Sequence, residues 1–169
     1  CKQWHLGNAF KNHFKSQFER VFCSLPKSSE VLLTIGEIDC RLNTGIMKHK
    51  NKFPEKEIEE IIVNTIELYL TYILTINSDY QHNIIIQGVP CPNIDTGIFS
   101  KQEITQLIEV IKNFNRELEN NSKKKGLDFL DVHKPTDRGD GFSNAIWHID
   151  QIHLSPEGFL EAWRRYVSD

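Results

Sequence analysis

Three short stretches carry most of the side chains in this sequence that are able to do chemistry. The first is Asp150-Gln151-Ile152-His153-Leu154-Ser155-Pro156-Glu157-Gly158. An aspartate three residues ahead of a histidine, just before a helix start, can set its carboxylate against the imidazole Nδ1. That contact fixes the tautomer and leaves Nε2 free to take a proton from a nucleophile. We expect Asp150 and His153 to act as such a pair. The plainer alternative is a turn-capping aspartate beside a surface histidine.

The second stretch, Gly36-Glu37-Ile38-Asp39-Cys40-Arg41, sets two acids and an arginine close together. Gly36 lets the backbone turn sharply or approach a ligand. Glu37, Asp39 and Arg41 can contact substrate, or brace the loop as an ion network. The third, Gly88-Val89-Pro90-Cys91-Pro92-Asn93, is stiffened by two prolines. Cys91 could serve as a thiol nucleophile beside His153, but a semi-buried loop thiol is the better reading. Asn93 is a candidate binding residue. Trp147 and His148, just ahead of Asp150 and with Asn144 close by, could stack on a sugar ring, or the indole could lid the edge of the core.

These stretches need elements to position them. Lys2 to Leu6 reads as the tail of a strand ending at Gly7. Phe10, Phe14, Phe18 and Val21–Phe22 recur at helical spacing, so a helix is expected over about 9–24. Val31-Leu32-Leu33-Thr34-Ile35 is a short apolar run of the kind buried on both faces of a sheet. A polar loop, 39–54, then leads to a helix over about 55–78, with Pro54 at its start and glutamates in its first turn. Residues 83–87 read as the second buried strand, about 101–125 as a helix closed by Gly126, and 127–132 as the third strand. A long loop, 133–154, follows. Ser155-Pro156-Glu157 opens the last helix as N-cap, N1 and first-turn acid. Strands alternating with helices imply a parallel sheet with helices on both faces, an α/β sandwich of three layers. Ligands bind such sheets at the carboxyl ends of the strands. All three chemistry-bearing stretches fall there.

The bulk properties narrow the partners. The chain has 169 residues, which suits one domain over 1–169. The net charge is −3 with 25 % charged residues, so no nucleic-acid partner is expected. Lys123-Lys124-Lys125 reads as a solvated helix end. The four cysteines include no CxxC pair, so no metal or other cofactor is expected, and they read as reduced thiols of an intracellular, cytoplasmic protein. No apolar run reaches the roughly 18–20 residues needed to span a bilayer, and no segment reads as a signal peptide. The chain begins at Cys1 rather than Met, which reads as a processed product or a piece of a longer polypeptide.

Asp150-x-x-His153 ahead of the last helix, together with Gly36-Glu37-Ile38-Asp39 after a buried strand, resembles the SGNH/GDSL-type hydrolase superfamily. The longer blocks Gly36 to Arg41, Gly88 to Asn93 and Trp147 to Asp150 resemble a subgroup of mostly unassigned activity. The resemblance runs from about Gly7 to the C-terminus. It implies a flavodoxin-like α/β/α fold, with Asp150 and His153 as the acid and base of a Ser-His-Asp triad. It also implies Gly7 as the second-block glycine, whose backbone N–H would be an oxyanion donor. Gly36, Glu37, Asp39, Arg41, Asn93, Trp147 and His148 would then border the substrate. Two departures stand out. Ile38 occupies the place of the family's asparagine, and losing one such donor typically costs about 2.7–4 kcal/mol in the barrier. The family's Gly-Asp-Ser block is absent, which puts the first strand and the nucleophile upstream of Cys1. The implied activity is ester hydrolysis of a small-molecule or glycan substrate, with O-acetyl groups on a glycan as the family analogy. The competing expectation is a non-catalytic module of the same fold that binds a carbohydrate or a protein partner. A flavodoxin-like nucleotide binder ranks last, because no glycine-rich phosphate loop is present.

Overall fold

The apolar runs become three parallel strands: β1 (Glu30–Leu33), β2 (Asn83–Gln87) and β3 (Asp128–Leu130), in the order β1-β2-β3. The computed structural model describes residues 1–168. Val31 pairs with Ile84, and Ile86 pairs with Phe129. Alternation along the strands sorts the core into two layers. Val31, Leu33, Ile84, Ile86 and Phe129 pack with the larger cluster, beneath α5 (Ile58–Asn77) and α6 (Lys101–Lys124). Leu32, Ile85 and Leu130 point the other way, onto Ala162, Phe159 and Trp163 of α8 (Pro156–Ser168). This is the expected three-layer α/β sandwich.

Local signals set the helix ends. Ser100 and Glu103 form a capping box at the start of α6. Gly126 follows α6 with φ +72°, a left-handed position that glycine adopts without steric cost. At α8 the Gly158 backbone N–H donates to Ser155 Oγ at 3.0 Å, so the N-cap forms as its sequence implied.

Two expectations are corrected. Residues 3–7 are not a strand but a short helix, α1 (Gln3–Gly7). Asp39 accepts from the backbone N–H groups of Gln3 and Trp4, at 2.7 and 3.3 Å, satisfying donors at the helix start. Leu6 is fully buried. A five-residue stretch carries too little periodicity to separate the two states, and a carboxylate 36 residues away decides. The loop expected over 39–54 is largely helical: α3 (Glu37–Cys40) and α4 (Gly45–Lys52) lie in or overlap it, burying Ile46 and Met47. Gly45 has φ +59°, and a Cβ there would collide with the Asp39 carbonyl. The helix expected over 9–24 is shorter, α2 (His13–Phe22), and α7 (His133–Thr136) opens the long loop after β3.

One buried polar residue on α6 anchors the loop after β2. Asn115 Oδ1 accepts from Val89 N at 2.7 Å, and its Nδ2 donates to Val89 O at 2.8 Å. A Cβ at Gly88 would sit 2.8 Å from that Oδ1, so the glycine is required for the approach. Replacing Asn115 with alanine leaves a buried donor and acceptor unpaired, each costing about 1–3 kcal/mol. We therefore expect Asn115→Ala to lower the urea-derived unfolding free energy by roughly 2–4 kcal/mol. A loss below 1 kcal/mol would show that this pair does not hold the loop.

Candidate active site

The loops after β1 and β2 and the end of the long loop meet at one rim of the sheet. They enclose a cavity of about 410 Å³ lined by Gly36, Glu37, Arg41, Gly88, Pro90 and His153, with Cys1 also on its wall. Asp150 holds His153 in place. Its Oδ2 lies 2.7 Å from His153 Nδ1, and its Oδ1 accepts from the backbone N–H groups of His153 and Ile152 at 2.6 and 2.7 Å. The His153 hydrogen bond, aided by those two amides, draws the Asp150 carboxyl down to about 2, so it is an anion at any physiological pH. With Nδ1 engaged, Nε2 is the nitrogen left for chemistry.

The surrounding loop is tied by its own backbone. Ile149 N donates to His153 O at 3.0 Å, and Ser155 N donates to Trp147 O at 2.8 Å. Asn93 Nδ2 donates to Asp150 O at 2.9 Å, linking the loop after β2 to the Asp150 turn. Glu37 and Arg41 form a bidentate pair, with Arg41 Nη2 2.7 Å from Glu37 Oε2. Hydrogen bonds to Glu37 raise the Arg41 guanidinium's affinity for its proton, and the Asp150 charge adds to this.

Other expected site residues lie elsewhere. Gly7 sits in α1 against α5, where a Cβ would be 2.8 Å from Tyr69 N. It is a close-approach glycine outside the His153 cavity, not a donor into it. Asp39 is 1 % exposed, caps α1, and borders a separate cavity between α1, α4 and α5. Trp147 packs over Gly158, where a Cβ would meet the Trp147 carbonyl at 2.7 Å. His148 is half-buried with Nδ1 3.0 Å from Ser143 Oγ, and burial lowers its affinity for a proton. Neither aromatic lines the His153 cavity. Cys91 is buried and its thiol is pushed up to about 12 by that burial, the opposite of an activated nucleophile. No serine is among the residues lining the cavity.

Sequence reasoning missed a second cavity beside the first. It measures about 330 Å³ and shares Glu37, Arg41, Pro90 and Ile152 with its neighbour. Its depth is apolar: Leu42, Val89, Ile94, Phe99, Leu107 and Ile111. These residues come from the segment after α3, the loop between β2 and α6, and α6 itself, so no local pattern marks them. Among the described residues, the His, Cys, Asp and Glu side chains close enough to share an ion are Cys91, His133 and Asp137, outside the His153 cavity.

The fold is similar to those of a GDSL-like lipase and a phospholipase A1. A GDSL-like lipase from Bacteroides thetaiotaomicron superposes with a TM-score of 0.56 at 16 % identity, over 83 % of this chain and 60 % of the lipase. Phospholipase A1 from Streptomyces albidoflavus superposes with a TM-score of 0.51 at 14 % identity, over 90 % of this chain and 74 % of the phospholipase. The chain thus spans less than two thirds of the lipase's length. No family model and no curated protein matches it. No helix among the described residues is long and apolar enough to cross a membrane.

Burial makes Asp39 a pH-dependent element. Desolvation raises its carboxyl from about 3.8 to about 6, against the pull of the Gln3 and Trp4 amides. A carboxyl that binds its proton more tightly when folded stabilises the protein below its unfolded value. That contribution is lost as pH rises through about 6. In urea titrations between about pH 4 and 7, wild type should therefore lose roughly 1–3 kcal/mol relative to Asp39→Asn. A difference that does not change with pH would contradict the assignment.

Proposed function

We propose that this domain supplies the acid–base machinery and acyl-binding wall of a serine-type ester hydrolase. The observation that carries the proposal is His153, oriented by Asp150 and facing the same cavity as Gly36 and Glu37. In this reading His153 Nε2 takes the proton from a serine hydroxyl as Oγ attacks the ester carbonyl. It then returns that proton to the leaving alkoxide, and a water molecule repeats the sequence to release the acid. Asp150 stabilises the imidazolium formed in between. This reading needs a serine hydroxyl within reach of His153, and the residues lining the cavity include Cys1 but no serine. The Ile38 side chain donates nothing to an oxyanion, so backbone N–H groups such as that of Gly36 and residues near the nucleophile would have to serve.

The apolar second cavity supports an acyl chain as the group recognised, in keeping with the lipase and phospholipase names of the structural neighbours. The loop contacts of Trp147 and His148 leave the sugar-stacking idea without support. The Glu37–Arg41 pair stands between the two cavities, where it can position a polar ester group.

The full polypeptide carrying this domain is expected to hydrolyse p-nitrophenyl esters, with kcat reduced about 10³-fold or more in His153→Ala. Equal rates in the two proteins would remove His153 from the mechanism and leave the non-catalytic module. Leu107→Trp fills the second cavity, and we expect it to lower kcat/KM for p-nitrophenyl hexanoate relative to acetate by about tenfold. An unchanged hexanoate-to-acetate ratio would place the acyl group elsewhere.

A further inference from the structure

We propose that Cys91, His133 and Asp137 form a binding site for a thiophilic divalent cation, zinc in the first instance, which clasps the loop after β2 to the loop after β3. The Cys91 thiol, a ring nitrogen of His133 and a carboxylate oxygen of Asp137 all lie within 4.8 Å of one another. Tetrahedral zinc with one sulfur, one imidazole and one carboxylate ligand sets those atoms about 3.3–3.6 Å apart. Closing the site therefore takes a contraction of about an ångström, within reach of side-chain rotation. A thiolate and an imidazole favour zinc over magnesium or calcium. The charges of thiolate and carboxylate cancel that of the ion.

The three side chains are held where they meet by contacts that leave His133 Nε2 and Asp137 Oδ2 without a hydrogen bond. Cys91 N donates to Thr136 Oγ1 at 3.0 Å, fixing the cysteine between its two prolines. His133 opens α7 and Asp137 is its C-cap, and their side chains approach each other at its one turn. Asp137 N donates to His133 O at 3.0 Å. The Asp137 carboxylate is oriented through Oδ1 alone, which accepts from Gly139 N at 2.7 Å and Gly141 N at 2.8 Å. Its Oδ2 makes none of these bonds. His133 Nε2 is buried without a hydrogen-bond partner among the described residues. A buried imidazole nitrogen left unpaired is costly, and a metal bond would satisfy it. The Cys91 thiol sits 3.6 Å from His133 O, a weak contact that is readily given up. Lys112, an exposed residue of α6, reaches over Gly141.

The position gives the ion a purpose. Pro90, next to Cys91, lines both cavities of the candidate active site. Ser143 N donates to Pro92 O at 3.0 Å, so the same clasp reaches the segment that leads to His148 and Asp150. Binding at the three ligands would fix these loops, releasing the thiol proton to solvent as the Cys91 sulfur becomes a thiolate. The site stands independently of the hydrolase reading.

The test is cobalt and zinc titration of the chelator-stripped full chain. Wild type is expected to bind one equivalent of Co²⁺ with a thiolate-to-metal charge-transfer band, which Zn²⁺ bleaches stoichiometrically. Zn²⁺ should also raise the melting temperature. Cys91→Ser should abolish the band, and His133→Asn and Asp137→Asn should each weaken Co²⁺ binding at least tenfold. Their melting temperatures in chelator should match wild type, showing that they fold. Cys1→Ser/Cys23→Ser, which removes the exposed thiols, should keep the band. A wild type without the band, or a band that survives Cys91→Ser or is lost with the exposed thiols, would overturn the proposal.

Discussion

The Asp150 carboxylate is the point on which the site turns. It accepts from two backbone amides and meets an imidazole nitrogen, all within residues 150–153. A carboxylate satisfied by three donors has little freedom left. Its partner imidazole is largely in solvent, with a side chain 66 % exposed. An ion pair at that exposure adds little to stability. The contact therefore matters for orientation: it selects which imidazole nitrogen faces the cavity.

That orientation has value only because the rest of the rim is rigid. The parallel sheet brings the carboxyl ends of β1 and β2 to one edge. Asn115 fixes the turn after β2 through both of its amide atoms. The Glu37–Arg41 pair braces the turn after β1, and Asn93 joins the turn after β2 to the carbonyl of Asp150. These contacts join the three segments that border the His153 cavity.

Much of the fold was legible because its signals are local. Ile84-Ile85-Ile86 bounded by Gly88 gave β2 within its observed limits, and Ser155-Pro156-Glu157 gave the start of α8. The Asp150–His153 pair was legible for the same reason, since its partners lie three residues apart. What failed depends on distant partners. The 3–7 segment is helical because Asp39 caps it, and Asp39 lies outside the His153 cavity. Gly7 was assigned by the family pattern, yet its need for a small side chain comes from α5. Trp147 and His148 were given a role by type, while the loop uses them for its own packing. Asn115 offered a clue that went unread: a polar residue inside the apolar stripe Leu107, Val110, Ile111, Phe114 and Leu118. His133 and Asp137 offered another, at a spacing of four, but Cys91 lies 42 residues away and only the fold brings it to them.

The imidazole tautomer of His153 tests the central claim most directly. Long-range ¹⁵N–¹H correlation spectra of the uniformly labelled protein, assigned by comparison with His153→Gln, report which ring nitrogen carries the proton. With Asp150 accepting at Nδ1, the neutral ring should be protonated at Nδ1 and bare at Nε2, and Asp150→Asn should shift that preference. A neutral His153 protonated at Nε2 in wild type, or one indifferent to Asp150→Asn, would contradict the account.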